Sequence, residues 1–416
     1  MVNTRGKIRK AQHTRKICFS EASVADNDQE MTRSGALIGS NDDLITDIFR
    51  RLPVTSILRF KSVSKRLLSL LSHRRFTVPY DNISISPGIF IRNLYMPFDV
   101  ESQKTPPFRR LDFYPDLKGI RIVQSCNGLL LCCSDLGNER ARKYYVFNPT
   151  TKQFAIIPSV PGGRDVRRSV CFMGLAYHRT DCVHYKVVCI HRAKPEVVVN
   201  VPAEDLYHIK IYSSDTRKWK ITDQSLYAPY FSAFKCGVYW NGAIHWVPSC
   251  RNPMYFKLDT EQLQKLSLRI RMASLGDYHD GPMPIYFGES RGHLHLVEKP
   301  HHENRLQLNV YEMLNDHSGW FVKYQVDLAE LPGTYPGMAH SYLHPSSPHY
   351  YEFDILDVVR GEKEEDTFMV VRVPEKIIRY NIMDKNFKQI FDATNVFYGR
   401  IRSSEAHRYI EALTLF

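Results

Sequence analysis

The chain has 416 residues, 43% of them hydrophobic and 24% charged, with a net charge of +12. That length exceeds what a single core usually fills, and the composition is that of a globular chain of two domains. No apolar run approaches the ~20 residues of a membrane helix, and the opening MVNTRGKIRKAQHTRK lacks the apolar stretch of a secretory leader, so neither is expected.

The charge is unevenly spread. Residues 1–39 carry seven Lys/Arg against four acids, and residues 40–76 carry eight against three, which leaves the remainder nearly balanced. The first segment reads as a disordered basic tail; its interrupted basic residues Lys7, Arg9, Lys10, Arg15 and Lys16 make at most a weak nuclear address. Nine cysteines include no CxxC pair, and Cys132 and Cys133 are adjacent. Reduced thiols in the nucleus or cytoplasm are expected, with no zinc half-site.

Residues 40–76 read as three short helices. Asp42 and Asp43 suit a first turn, Arg50 and Arg51 a last turn, and Leu44, Ile45, Ile48 and Leu52 form one apolar stripe between them. Pro53 removes a backbone donor and stops the helix. Thr55 or Ser56 is expected to cap a second helix carrying Ile57, Leu58 and Phe60, and Ser64 a third carrying Leu67, Leu68, Leu70 and Leu71. A unit of fewer than about 40 residues has little core of its own, so it is expected to dock on something.

These residues resemble the F-box in its plant form. Asp43-Leu44-Ile45, Asp47-Ile48, Arg51-Leu52-Pro53-Val54, Ser56 to Lys61 and Val63-Ser64-Lys65 match in order. Ser40-Asn41 stands where Leu-Pro is usual, and Leu67 where a tryptophan often is. The resemblance implies binding of an acidic SKP-type adaptor, and through it a cullin, by Leu44, Ile45, Ile48, Leu52, Pro53, Leu58 and Val63. The basic charge of this unit suits such a partner.

From Ile83 the period changes to two. Strand-like runs include Gly128 to Cys133, Tyr144 to Phe147 before Asn148-Pro149-Thr150-Thr151, and His184 to Ile190. Gly237 to Val247 reads as a hairpin about Asn241-Gly242, a pair suited to a tight primed turn. A grammar of hairpin, apolar strand, polar turn and return strand recurs at 120–160, 170–222, 235–270, 284–327 and 340–392. Such units are typical of β-propeller blades, although a pair of β-sandwiches would present similar strands. Residues 80–118 and Arg408 to Phe416 are expected to complete a further blade and latch the ring.

Cys126 to Leu130, Asn148 to Thr151, Tyr185 to Val188, Gly237 to Trp246, Tyr212-Ser213 with Trp219, and Glu411 to Leu413 resemble the F-box-associated domain that follows plant F-boxes. The expected fold is therefore mostly β with a small α-helical N-terminal unit: a tail over 1–39, a three-helix F-box over 40–76, and a kelch-like β-propeller over 80–416. The implied function is that of a non-catalytic substrate receptor in an SKP-cullin-F-box ubiquitin ligase, holding a target protein and using no cofactor.

Other motifs favour turns over chemistry. Gly288-Glu289-Ser290-Arg291-Gly292 fits the GxSxG of hydrolases, but that motif needs a strand, a sharp elbow and a helix. Here His293 to Val297 alternate as a strand, so Ser290 is expected to be a tolerant turn residue. His293 and His295 face one side of that strand, with His301-His302 nearby, yet a zinc site needs three or four ligands. Gly361 to Asp366 reads as a charged loop, and Pro161-Gly162-Gly163 as a turn. Aromatic content of 12% with a pI near 9.1 leaves a basic nucleic-acid-binding β protein as the alternative, but the aromatics alternate as core residues would.

Overall fold

The computed structural model describes residues 39–77, 88–99, 111, 120–134, 142–162, 169–178, 184–193, 204–229, 234, 237–246, 253–266, 283–299, 306–347, 349–394, 396, 397 and 399–413. The basic tail and His301-His302 lie outside them. The helical stretch forms α1 (Asp42–Arg50), α2 (Val54–Lys61) and α3 (Lys65–Ser72).

Alternation of apolar and polar side chains carries the rest into strands. The first two are β1 (Gly88–Ile91) and β2 (Leu94–Pro97). Four antiparallel meanders follow one another and are joined by a fifth. They comprise β3 (Ile120–Cys126), β4 (Leu129–Ser134), β5 (Tyr144–Asn148) and β6 (Gln153–Ile157); then β7 (Val170–Ala176), β8 (Lys186–Arg192), β9 (Glu204–Ser213) and β10 (Lys218–Pro229). Next are β11 (Val238–Trp240), β12 (Ala243–Trp246), β13 (Met254–Lys257) and β14 (Gln262–Lys265). The last two sets are β15 (Met283–Ser290) to β18 (Trp320–Asp327), through β16 (His293–Lys299) and β17 (Gln307–Met313), and β19 (Asp354–Val359) to β22 (Phe387–Asp392), through β20 (Phe368–Val373) and β21 (Lys376–Asn381). A short helix, α4 (Leu331–Thr334), sits in the connection before β19.

The final strand, β23 (Ala406–Tyr409), returns to the first sheet and pairs antiparallel with β1, Gly88 opposite Tyr409 and Ile91 opposite Ala406. Six sheets therefore stand round one axis, with β3, β7, β11, β15, β19 and β23 innermost and each packed on the next. This is a six-bladed β-propeller whose five four-stranded blades coincide with the repeat read from the sequence. The sixth has three strands drawn from the two ends of the ring. Every gap between blades carries its own apolar cluster, such as Leu131, Val146, Met173, Leu175 and Val187 in one and Val310, Tyr324, Ile355, Met369 and Ile378 in another.

Antiparallel order sorts the connections onto two faces. The turns from third to outer strand share one face with the two-residue hairpins Asn127-Gly128, Asn241-Gly242 and Arg291-Gly292 that join inner strand to second. Asn127-Gly128 and Asn241-Gly242 have positive φ at both residues, 48° and 92° and 47° and 72°, as a primed hairpin turn requires. The turns from third to outer strand each hold one left-handed residue: Lys152, Arg217, Glu261, His317 or Lys385. The opposite face takes the connections to the next blade; among the described residues, 328–347 and 399–405 belong to them. Because Gly88 opposes Tyr409, the chain enters β1 from the helices, and leaves β23, on the short-turn face.

Candidate functional site

Local sequence explains each helix end. Asn41 caps α1, its Oδ1 accepting the N–H groups of Asp43 (3.0 Å) and Leu44 (3.1 Å), while Asp42 and Asp43 occupy the first turn. These contacts suit the positive end of the helix dipole. The second cap differs from expectation. Pro53, with φ −59° and ψ 149°, holds the N-cap position of α2, so Thr55 and Ser56 lie inside the helix. A proline there loses no hydrogen bond, and its carbonyl accepts from Ser56 and Ile57. Ser64 caps α3 as expected, accepting from Leu67 N–H at 3.1 Å.

The predicted interface residues divide. Leu44, Ile48, Pro53 and Val63 are exposed, Val63 to 68%, whereas Ile45 is buried. Leu52 and Leu58 are half-buried and pack with Phe49 and Leu67 on a core of Val54, Ile57, Leu71, Phe76 and Leu413. Two further apolar side chains, Phe60 (38%) and Leu68 (48%), are exposed as well. Phe60 meets Phe49 edge-on, with ring centroids 4.7 Å apart. Their spacing in the helical pattern was legible, but which face turns to solvent is set by the core. Arg51, Arg59, Lys65, Arg66, Arg74 and Arg75 of the same helical stretch are exposed too. Several exposed apolar side chains with exposed charge on one short helical stretch suit a protein-binding surface.

On the axis a cavity of about 150 Å³ is lined by residues including Gln124, Tyr286, Asp357, His407 and Arg408. Arg408 Nε donates to Asp357 Oδ2 at 2.8 Å and its Nη2 to Asp357 and to the Val358 carbonyl; Tyr286 OH donates to Asp357 Oδ1 at 2.8 Å. Gln124 bonds both backbone groups of Leu175 (2.7 and 3.1 Å).

The GxSxG stretch is a hairpin, as expected, but Ser290 is not an exposed turn residue. It ends β15 with no exposed surface, and its Oγ accepts the Arg360 N–H at 2.9 Å. Gly292 supplies φ 79° to the turn, and a Cβ on Gly288 would lie 2.0 Å from the Tyr286 hydroxyl, so Gly292 serves the turn and Gly288 the packing. Replacing Ser290 by Ala strands a buried N–H, and a loss of about 1–3 kcal/mol is expected. Chemical denaturation checks this; a change under ~0.5 kcal/mol, typical of surface sites, would contradict it.

His293 Nδ1 lies 2.7 Å from Glu312 Oε1, and Arg360 Nη1 donates to Glu312 Oε2 at 2.8 Å. His295 sits 3.7 Å from that carboxylate, but Glu312 is already engaged by Arg360 and His293. Burial, then the Arg408 charge, hold His295 neutral with a pKa near 3. Arg360 also reaches Glu364 (2.9 Å), whose pKa is drawn down to about 2 by the Tyr324 hydroxyl and Lys323. The charged loop thus ties β19–β20 to its neighbour blade. Among the described residues no three His, Cys, Asp or Glu side chains gather to hold a metal, and no helix is long and apolar enough to cross a membrane. The five described cysteines are free thiols; burial raises Cys189 to about 12.

Comparison with known proteins matches residues 41–79 to the F-box domain and residues 96–275 to the F-box associated beta propeller domain. The chain is similar to the Arabidopsis thaliana F-box protein At5g07610, with 30% identity over 379 residues, covering 86% of this chain and 87% of that one. It is 26% identical to F-box protein At5g49610 of the same plant, covering 71% and 81%. Among solved structures, TolB from Acinetobacter baumannii aligns at 11% identity over 77% of this chain and 66% of that one, with a TM-score of 0.38.

Proposed function

Because this chain belongs to the F-box proteins that carry an F-box associated β-propeller, we propose that it is the substrate receptor of an SKP-cullin-F-box ubiquitin ligase, acting in the nucleus or cytoplasm. The observation that carries the reading is the set of exposed apolar and basic side chains on the helical unit. Ile48, Pro53, Phe60, Val63 and Leu68 bind a SKP-type adaptor, and Arg51, Arg59 and Lys65 steer its acidic surface. The adaptor joins the receptor to a cullin. The ring holds a target protein by the face that carries the long connections, where Tyr342 is 78% exposed. That face is opposite to the one where β1 begins and β23 ends, which supports a two-ended bridge. Its contribution to catalysis is proximity: a held target presents its lysines at high effective concentration to a ubiquitin-loaded enzyme. The chain supplies no nucleophile of its own to this reaction.

Val63→Asp tests the adaptor surface without touching the core. A packed apolar anchor contributes ~2 kcal/mol or more, so the variant is expected to bind a SKP-type adaptor roughly thirtyfold more weakly in a titration. Reversing Arg59 and Lys65 to Glu is expected to slow association and flatten its salt dependence. Leu52→Asp is the poorer probe, since Leu52 also supports the helical core. A wild-type chain that ignores the adaptor but binds RNA or DNA with a steep salt slope would replace this reading with nucleic-acid binding.

A further inference from the structure

The helices that offer the adaptor surface do not complete their own core. From α2 and α3 and the turn after them, the buried apolar side chains are Val54, Ile57, Leu71 and Phe76, because Phe60, Val63 and Leu68 are exposed. The fifth buried member of the cluster is Leu413, with no exposed surface, from the opposite end of the chain. Leu413 lies four residues beyond Tyr409, where the ring-closing strand β23 ends. The segment between is seated on the β5–β6 turn. Asn148 Nδ2 donates to the Ala412 carbonyl at 3.0 Å, and the Ala412 N–H donates to Thr150 Oγ1 at 3.1 Å. Thr150 Oγ1 also pairs with the Tyr409 hydroxyl at 3.0 Å. Asn148 is wholly buried and its Oδ1 holds its own turn, accepting from Thr150 and Thr151.

We propose that Leu413, seated by Asn148 and Thr150, is a positioning residue for the adaptor surface, so that α2 and α3 take their binding form only once β23 has closed the ring. A chain whose propeller is unfinished or open lacks Leu413 in the helical core and presents a poor adaptor surface, although every adaptor-facing side chain is intact. Recruitment to the ligase then follows completion of the target-holding domain. The same seating fixes α2 and α3 against the blade of β3–β6, giving the bridge one geometry. This inference rests on the adaptor-binding reading above and adds the condition under which that binding occurs.

Hydrogen exchange and adaptor titration on the full chain test it together. In Leu413→Asp, amides of α2 and α3 are expected to exchange at least about thirtyfold faster and adaptor affinity to fall at least about tenfold. Amides of β20 and β21 should stay within about threefold of wild type, because local opening leaves the rest of a fold protected. Leu413→Met should restore both readouts, and Asn148→Ala should move both in the same direction by less. If the Asp variant unfolds the ring as well, Leu413→Ala takes its place with the same criteria. Unchanged exchange in α2 and α3 in the variant overturns the proposal, as does full adaptor affinity despite faster exchange. A wild-type chain that does not bind the adaptor ends the ligase reading and with it this condition on recruitment, whereas the exchange comparison still decides whether the helices depend on Leu413.

Discussion

Arg408→Met is expected to destabilise the ring by about 3–5 kcal/mol, because it leaves the Asp357 carboxylate buried without its cation. Asp357 is 4% exposed, and Arg408 supplies it with two charge-assisted hydrogen bonds, Tyr286 contributing a third. The position of Arg408 raises the consequence. It stands in β23, so its ion pair joins the closing strand to β19 of the neighbouring blade and helps hold the ring shut. Removing Arg408 to Phe416 altogether also deletes Tyr409 and Leu413 and frees the edge of β1, and an open edge invites pairing with other chains. Urea denaturation of the single variant gives the magnitude. The double change Arg408→Met with Asp357→Leu should recover most of the loss, since an apolar pair of similar volume replaces a buried ion pair at little cost. A single-variant loss under ~1 kcal/mol, the range of surface pairs, would show that the pair is hydrated and that closure depends on the strand hydrogen bonds alone.

Acidification is expected to weaken the fold steeply below pH 6.5. His191, His245, His295 and His407 are 7%, 0%, 0% and 8% exposed. Burial in the first place, and neighbouring positive charge in the second, lowers them to about 4, 3, 3 and 4; for His245 the second contributor is His317, whose Nε2 lies 2.9 Å from its own. A histidine held neutral in the fold contributes stability that is complete above its unfolded value, near 6.5, and is lost as the pH falls toward the folded value. Glu298 acts in the opposite sense. Burial raises it to about 7, so its contribution is complete below its unfolded value and lost as the pH rises through 7; on acidification it recovers part of the loss. With four protons taken up on unfolding against one released, the net slope approaches about 4 kcal/mol per pH unit between pH 6 and 5. Midpoints of urea unfolding at pH 7.0 and 5.5 measure this. Equal midpoints would show that the four rings are protonated within the fold.

What the sequence determines here is what depends on near neighbours. A helix is delimited by residues within a few positions of its ends, so Asp42, Asp43, Pro53 and Ser64 mark the helical unit before any tertiary contact is considered. A propeller blade is a meander in which each strand bonds the next, so the Asn127-Gly128 and Asn241-Gly242 turns and the period-two runs announced five blades at 120–160, 170–222, 235–270, 284–327 and 340–392. The tertiary structure alone decided the features that join distant positions. The sixth blade closes through Gly88 and Tyr409, more than 300 residues apart, and nothing in either short strand names its partner. Ser290 reads locally as a tolerant turn residue, yet it is buried and accepts the backbone N–H of Arg360 from the next blade. Leu52 shares the apolar stripe with Ile48, yet the core beneath turns Ile48 outward and draws Leu52 partly in. The Asn148-Pro149-Thr150-Thr151 turn is legible as a turn, but its second task, seating Ala412 so that Leu413 reaches the helices, arises from hydrogen bonds across 262 and 264 residues. Local periodicity and capping are written in the order of side chains; burial and closure depend on which surfaces meet, and only the folded ring brings those surfaces together.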